Sequence, residues 1–296
     1  TGGDGDGSER EQGRKAHGGL GRRGDGGWTT PEDATTLAGM QVMRWLPLLV
    51  FLAAPSSGAA QAPVYDAAAL SCARFSESVH GTLASSFGSE RRTETLGREG
   101  VLVVRATLDS AGLSVESWYD TLAVWREGPD GRFAPDAEGI LGGRYAGILD
   151  PQGDYLATVT PYVPATLRDV FDFARVRLHF FPPLSPKPLG PGGEWTDGAG
   201  LTIWRLADSA AGAGPIGRYR WIRRESWEEG VAAGDSTVIV HRAETEDGSL
   251  LWRAGSGPVG WSSSTVATLE IDNGAGRTEL TQDVLVRRLA GACPGP

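Results

Sequence analysis

The residues able to do chemistry are few here, and their spacing limits what they can do. Past the N-terminal region the histidines are His80, His179 and His241. They stand far apart in sequence, without the short paired spacing that builds a zinc site, so no metal ligand is expected. The close carboxylates are Asp169 with Asp172, Glu228 with Glu229, and Glu244 with Glu246. The first pair lies at the start of a helical pattern, where the helix dipole favours negative charge. The others flank turn-like sequence and read as solvated charge rather than as a glycosidase acid–base couple. Ser262-Ser263-Ser264 has no nucleophile-elbow glycines around it. No Walker or dinucleotide-binding pattern occurs, so no cofactor is expected and no catalytic residue is assigned.

Aromatic residues form the larger chemical surplus. Trp118, Trp125, Trp204, Trp221, Trp227, Trp252 and Trp261 all lie in or beside β-like sequence. Their default use is packing, since an indole supplies a broad apolar face and one donor. Gathered on a cupped sheet, they could also hold a lipid-like ligand or an envelope protein. Trp195, Trp204, Tyr219, Trp221, Trp227 and Trp252 are the ligand or interface candidates.

The elements that must position these residues are mainly β. Strand patterns recur at Cys72–Ser85, Val101–Leu108, Leu113–Trp118, Thr121–Arg126, Arg144–Leu149 and Tyr155–Thr160. They resume at Leu201–Leu206, Arg218–Trp227, Thr237–Thr245, Leu250–Ala254, Thr265–Ile271 and Thr278–Leu289. Gly88–Gly100 reads as a polar hairpin, and Glu246-Asp247-Gly248 as a turn. In the last strand the alternation slips between Gln282 and Leu285, which a β-bulge would reconcile. Leu167, Val170, Phe171, Ala174, Leu178 and Phe181 repeat at threes and fours, predicting one principal helix near residues 166–179. Thr166 and Asp169 fit its capping box, and Pro182-Pro183 must end it. The expected fold is therefore mainly β, an antiparallel sandwich or an open or half barrel with one helix.

The N-terminal sequence sets the compartment. Residues 1–42 are polar, glycine-rich and aperiodic, and read as an upstream segment or a misassigned start. Met43-Arg44-Trp45, an apolar run Leu46–Ala54 and the small-residue ending Ala60-Gln61-Ala62 then describe a secretory signal peptide over residues 43–62. The run is too short to span a bilayer. Residues 63–296 would form one integrated domain, with two subdomains meeting near 164–195 as the alternative. Export to a periplasmic or extracellular space favours a disulfide between Cys72 and Cys293, near the two ends of that domain. The whole chain carries 28 basic against 37 acidic side chains, a net charge of -9, which suits solubility and argues against a nucleic-acid partner.

The block Phe181-Pro-Pro-Leu-Ser-Pro-Lys-Pro188, followed by Gly193-Glu-Trp195, resembles a junction in uncharacterised secreted or periplasmic β-rich proteins of Gemmatimonas-type bacteria. The Ala-Gln-Ala-Pro export ending resembles their precursors. The resemblance covers residues 144–204 and implies a Gram-negative envelope setting, with no catalytic residue carried over. The expectation is a non-enzymatic exported protein binding an apolar ligand or another protein. The alternatives are a secreted hydrolase with residues drawn from distant strands, and a purely structural envelope protein.

Overall fold

A computed structural model describes residues 62–110, 112–168, 180–211, 214–233, 236–274 and 276–291. The chain divides into two compact units, residues 1–54 and 55–296, and every described residue belongs to the second.

That unit is one antiparallel sheet. Its strands in chain order are β1 (Ala73–Phe87), β2 (Glu90–Asp109), β3 (Gly112–Gly128), β4 (Gly131–Phe133), β5 (Tyr145–Leu149), β6 (Tyr155–Val159), β7 (Glu194–Thr196), β8 (Leu201–Arg205), β9 (Ser209–Ala211), β10 (Gly214–Ala233), β11 (Ser236–Arg253), β12 (Gly257–Ile271) and β13 (Gly276–Leu289). They run β6-β5-β3-β2-β1-β13-β12-β11-β10-β8-β7, with β4 on β3 and β9 on β10. β6 and β7 are not paired, so the sheet does not close into a barrel. Its ends nevertheless approach: Asp154, beside β6, and Asp197, between β7 and β8, line one cavity. The expected open β fold is the observed one. Among the described residues no second packed sheet forms, because pairing of β1 with β13 joins the N- and C-terminal strands into one continuous surface.

Alternation divides every long strand between two faces. The inner face carries Phe75, Val79, Leu102, Val104, Tyr119, Val115, Leu250, Trp252, Trp261, Val284 and Val286, all buried. The chain's own segments cover one end of it. Tyr65 packs edge-on to Phe181 and Trp252 at 5.2 and 5.3 Å. Its hydroxyl donates to the Pro182 carbonyl at 2.8 Å, and its amide donates to the Pro151 carbonyl at 3.1 Å. Phe180 meets Tyr145 at 5.4 Å. Leu70, Leu167 and Leu184 fill the space between, each burial contributing about 1.5–3 kcal/mol.

Two strand-interior glycines explain strands longer than the sequence suggests. A Cβ at Gly97 would lie 1.9 Å from the Trp125 ring, and one at Gly248 would lie 2.0 Å from the Trp221 ring. Each glycine is the register partner of its tryptophan. Glycine is therefore placed where an indole must lie flat on the neighbouring strand, as in aromatic coverage of sheet glycines. Gly88–Gly100 accordingly belongs almost wholly to β2 rather than to a hairpin. Glu246-Asp247-Gly248 continues β11 instead of turning.

Two further expectations change, and a third falls mostly outside the described residues. Leu113–Trp118 and Thr121–Arg126 are one strand, β3, with a bulge that leaves Asp120 unpaired in the ladder and 3.3 Å from Arg74. β13 pairs without a register shift: Gln282 faces inward opposite Gly81 and Thr265, while Leu285 is exposed. The helix near 166–179 is described only as α2, Ala165–Arg168, since residues 169–179 lie outside the described residues. The other α-helix among the described residues is α1, Ala67–Leu70, capped by Asp66.

The expected Cys72–Cys293 disulfide falls partly outside the described residues. Cys72 is disulfide-bonded and no free thiol is present among the described residues, while Cys293 lies outside them.

Candidate ligand-binding face

The inner face of β8, β10, β11 and β12 gathers most of the predicted residues. Register places Ile203, Trp221, Gly248 and Ser263 in one cross-strand row. The next row toward the open end holds Leu201, Arg223, Glu246 and Thr265, and the row beyond it Glu225, Glu244 and Ala267. An apolar floor thus gives way to charge within two residues of strand.

A cavity of about 430 Å³ opens over the charged rows, lined by Leu201, Arg223, Glu225, Glu244, Glu246 and the loop residues Asp154, Asp197 and Gly200, with Ala199 and Arg224 beside them. Arg223 lies 3.9 Å from both Glu246 and Glu225. Arg242 holds Glu244 at 3.0 Å. The lining presents five carboxylates against two arginines, so the cavity is negative. Burial, and then Asp150, push the Asp154 carboxyl above its usual range. Burial pushes Asp197 the same way. Amide bonds from Ala199, Leu201 and Gly200, at 2.7–3.1 Å, outweigh it and hold that carboxyl low. These amides fix the β7–β8 turn as a wall of the cavity. Gly200, at φ +127°, passes so close to the Arg224 carbonyl that a Cβ would lie 2.1 Å from it.

Two polar atoms beside the charged rows have no partner. Trp221 Nε1 and Thr265 Oγ1 are buried and make no hydrogen bond, in residues 2% and 4% exposed. A buried donor or hydroxyl left this way costs about 1–3 kcal/mol. They sit on adjacent rows of the inner face, one strand to either side of β11.

The opposite half of the same face holds a closed charged network. Arg98 meets Glu77 through Nε and Nη2, each at 2.9 Å, and Tyr119 donates its hydroxyl to Glu77 at 2.7 Å. Arg98 and Glu77 have side-chain exposures of 1% and 2%. Against the cost of desolvation, the Glu77 charge keeps the guanidinium protonated, and burial raises the Tyr119 phenol well above its normal range.

The six aromatic candidates divide by face. Tyr219, Trp221 and Trp252 are buried on the inner face, and Trp195 packs against them half-buried. Trp227 lies farther along the same strand face, 4.8 Å from the Arg242 guanidinium. Trp204 faces outward instead, its Nε1 donating to Glu194 at 2.7 Å, with Arg220 at 5.8 Å. Leu201, Arg223 and Thr265 were not singled out by sequence, and Glu246, read there as solvated charge beside a turn, is buried within β11. Their only signal is alternation read across three strands, which requires the register.

Two other hollows are built differently. One of about 270 Å³ lies at the other end of the strands between Tyr219, Trp252 and Arg205, but Arg205 already binds the Tyr219 hydroxyl at 2.7 Å and Asp208 at 2.6 Å. A shallow outer groove of about 580 Å³ contains Ser78, His80, Asp283 and the Ser262–Ser264 run. Ser78 Oγ stands 3.2 Å from His80 Nε2, and Asp283 is the register partner of His80. The surrounding backbone amides belong to a continuous ladder, so no pair of donors converges where an acyl oxyanion would form. Among the described residues no group of three or more His, Cys, Asp or Glu side chains could hold a metal ion. No described helix is long and apolar enough to cross a membrane.

No protein family and no curated protein matches the chain by sequence. Among solved structures, Ail, the attachment invasion locus protein of Yersinia pestis, aligns with 73% of this chain and 99% of its own at 6% identity. The TM-score of 0.15 is too low to carry fold or function, and the chain is placed in no family.

Proposed function

We propose that this is an exported, non-enzymatic binding protein whose ligand is amphipathic and lies on the inner face of the open sheet. The supporting observation is the junction of three features in adjacent rows: an aromatic floor, two unpartnered buried polar atoms and a negative cavity of about 430 Å³. The floor suits an apolar body, as in most small-molecule sites. Trp221 Nε1 can only donate, so it asks for a carbonyl or hydroxyl oxygen, and Thr265 can meet either partner. The carboxylate excess at the rim disfavours an anionic head and accepts a neutral or cationic one.

Titration of the purified protein with dodecylamine, monolaurin and dodecanoate, followed by calorimetry and tryptophan fluorescence, tests this reading. Saturable binding of dodecylamine and monolaurin is expected, with dodecanoate weaker by about tenfold or more. Absence of saturable binding by all three, or a preference for dodecanoate, overturns it.

A further inference from the structure

The two ends of the sheet are protected unequally. β7 is three residues long, carries Glu194 and runs directly into the Asp197 turn. Short, charged and abruptly turned strands are the usual means of keeping a sheet edge from pairing with another chain. β6 is five residues long, and its pairing with β5 carries one irregularity, a register shift at Ile148/Leu149 that leaves Leu156 out of the ladder. Its sequence, Tyr155-Leu-Ala-Thr-Val159, contains no charge, proline or glycine and favours extended structure. Among the described residues it pairs with β5 alone. Leu156 is 69% exposed, Val159 65% and Tyr162, just beyond the strand, 76%. An edge of this kind presents open backbone donors and acceptors beside apolar side chains.

We infer that β6 is a self-association edge, pairing antiparallel with β6 of a second copy of this chain to extend the sheet across a two-fold axis. The strand is complementary to itself. Ala157 and Val159 share the outer face through their partners Ile148 and Ala146. Centring the pair on Thr158 therefore sets Ala157 opposite Val159 and Thr158 opposite its own copy, each matched to its face, with the register shift at Leu156 lying outside these three residues. No like charges are opposed in that register. An isologous contact needs no further surface, and both inner faces remain on the same side. The five-residue strand is short beside a standard interface, so the dimer is concentration-dependent rather than obligate. This inference does not rest on the ligand reading, although Asp154, just before β6, lines the cavity over the Arg223 row.

Sedimentation velocity on the purified protein across a concentration series tests it, using Thr158→Lys, Thr158→Glu and their equimolar mixture. The wild type is expected to pass from monomer to dimer as concentration rises. Each variant alone, with like charges directly opposed, should dimerise about fivefold more weakly or worse. Mixing the two should restore dimer, which a simple folding defect could not do. A wild type that stays monomeric throughout overturns the proposal, as do single variants that dimerise like wild type or a mixture that fails to recover. A monomeric wild type that captures a foreign strand at this edge overturns it in favour of a different partner.

Discussion

Two of the arginine–glutamate pairs on the inner face of this sheet, one from each half, differ in almost every physical respect. Arg98 and Glu77 are fully buried, doubly hydrogen-bonded and completed by Tyr119. Arg223 and Glu246 approach only to 3.9 Å, with side-chain exposures of 26% and 11%, at the mouth of a cavity. The first pair is a closed network, in which the cost of desolvation is met by short directional bonds. The second is a looser contact that leaves its guanidinium open to a ligand. Hydrogen-bond completeness separates the two pairs, and the proposed ligand site lies beside the less complete one.

The largest expected effect breaks the closed pair. Glu77→Gln leaves the Arg98 charge buried without its counterion and should cost about 3–5 kcal/mol in denaturant unfolding. Arg223→Ala should cost no more than about 1 kcal/mol, while weakening or shifting ligand preference in calorimetry. Equal losses from the two changes would erase the distinction between the halves.

Glycine substitution compares the faces next. Gly248→Ala drives a methyl into buried Trp221, and a loss of about 1–3 kcal/mol with altered tryptophan emission is expected. Gly97→Ala meets Trp125 just as closely, but that ring is partly exposed on the outer face and can swing away, so the loss should be smaller. A reversed order by thermal unfolding would show that the outer indole is the more constrained.

Thr265→Val should have the opposite sign. Removing an unpartnered buried hydroxyl while keeping its shape is expected to stabilise the free protein by about 1 kcal/mol and to weaken monolaurin binding. A destabilised variant with unchanged binding would mean that the hydroxyl serves the fold.

The smallest effect lies outside both pairs. His241 Nε2 stands 2.7 Å from Asp272 and Nδ1 3.1 Å from Glu228, and Asp272 first, then Glu228, raise its pKa above the ordinary value. A raised folded-state pKa gives stability that is fully present below the unfolded pKa, about 6.5, and is lost as pH rises through the folded value. His241→Gln should therefore lower Tm more at about pH 5.5 than at about pH 8.5. A larger loss at the higher pH would contradict the sign.

The strand content was legible because it rests on alternation: Tyr219 and Trp221 fall opposite Arg218 and Arg220 as the residue pattern requires. Glycine was the main source of error. Gly97 and Gly248 look like turn residues locally, and only a tryptophan on the neighbouring strand shows why each sits within an extended one. Gln282 looked like a phase slip because an inward polar residue imitates a bulge, whereas the register shifts fall at Val101/Leu102, Ile148/Leu149 and Leu251/Trp252, where no composition signal marks them. The candidate site was half legible. Large aromatics announce themselves by type, but Thr265 and Arg223 are ordinary strand residues until the register sets them beside Glu246. Trp204 carried the same sequence signal as Trp221 and faces outward, so aromatic content alone could not assign the face.

Paramagnetic broadening by a spin-labelled dodecylamine, read on backbone amide resonances, tests the central claim most directly. Saturable broadening confined to the inner-face rows around Leu201, Arg223, Glu246 and Thr265, sparing the Arg98–Glu77 half, is the predicted result. Broadening centred on the outer serine groove or on the Arg98–Glu77 half, or none at saturating probe, would contradict it.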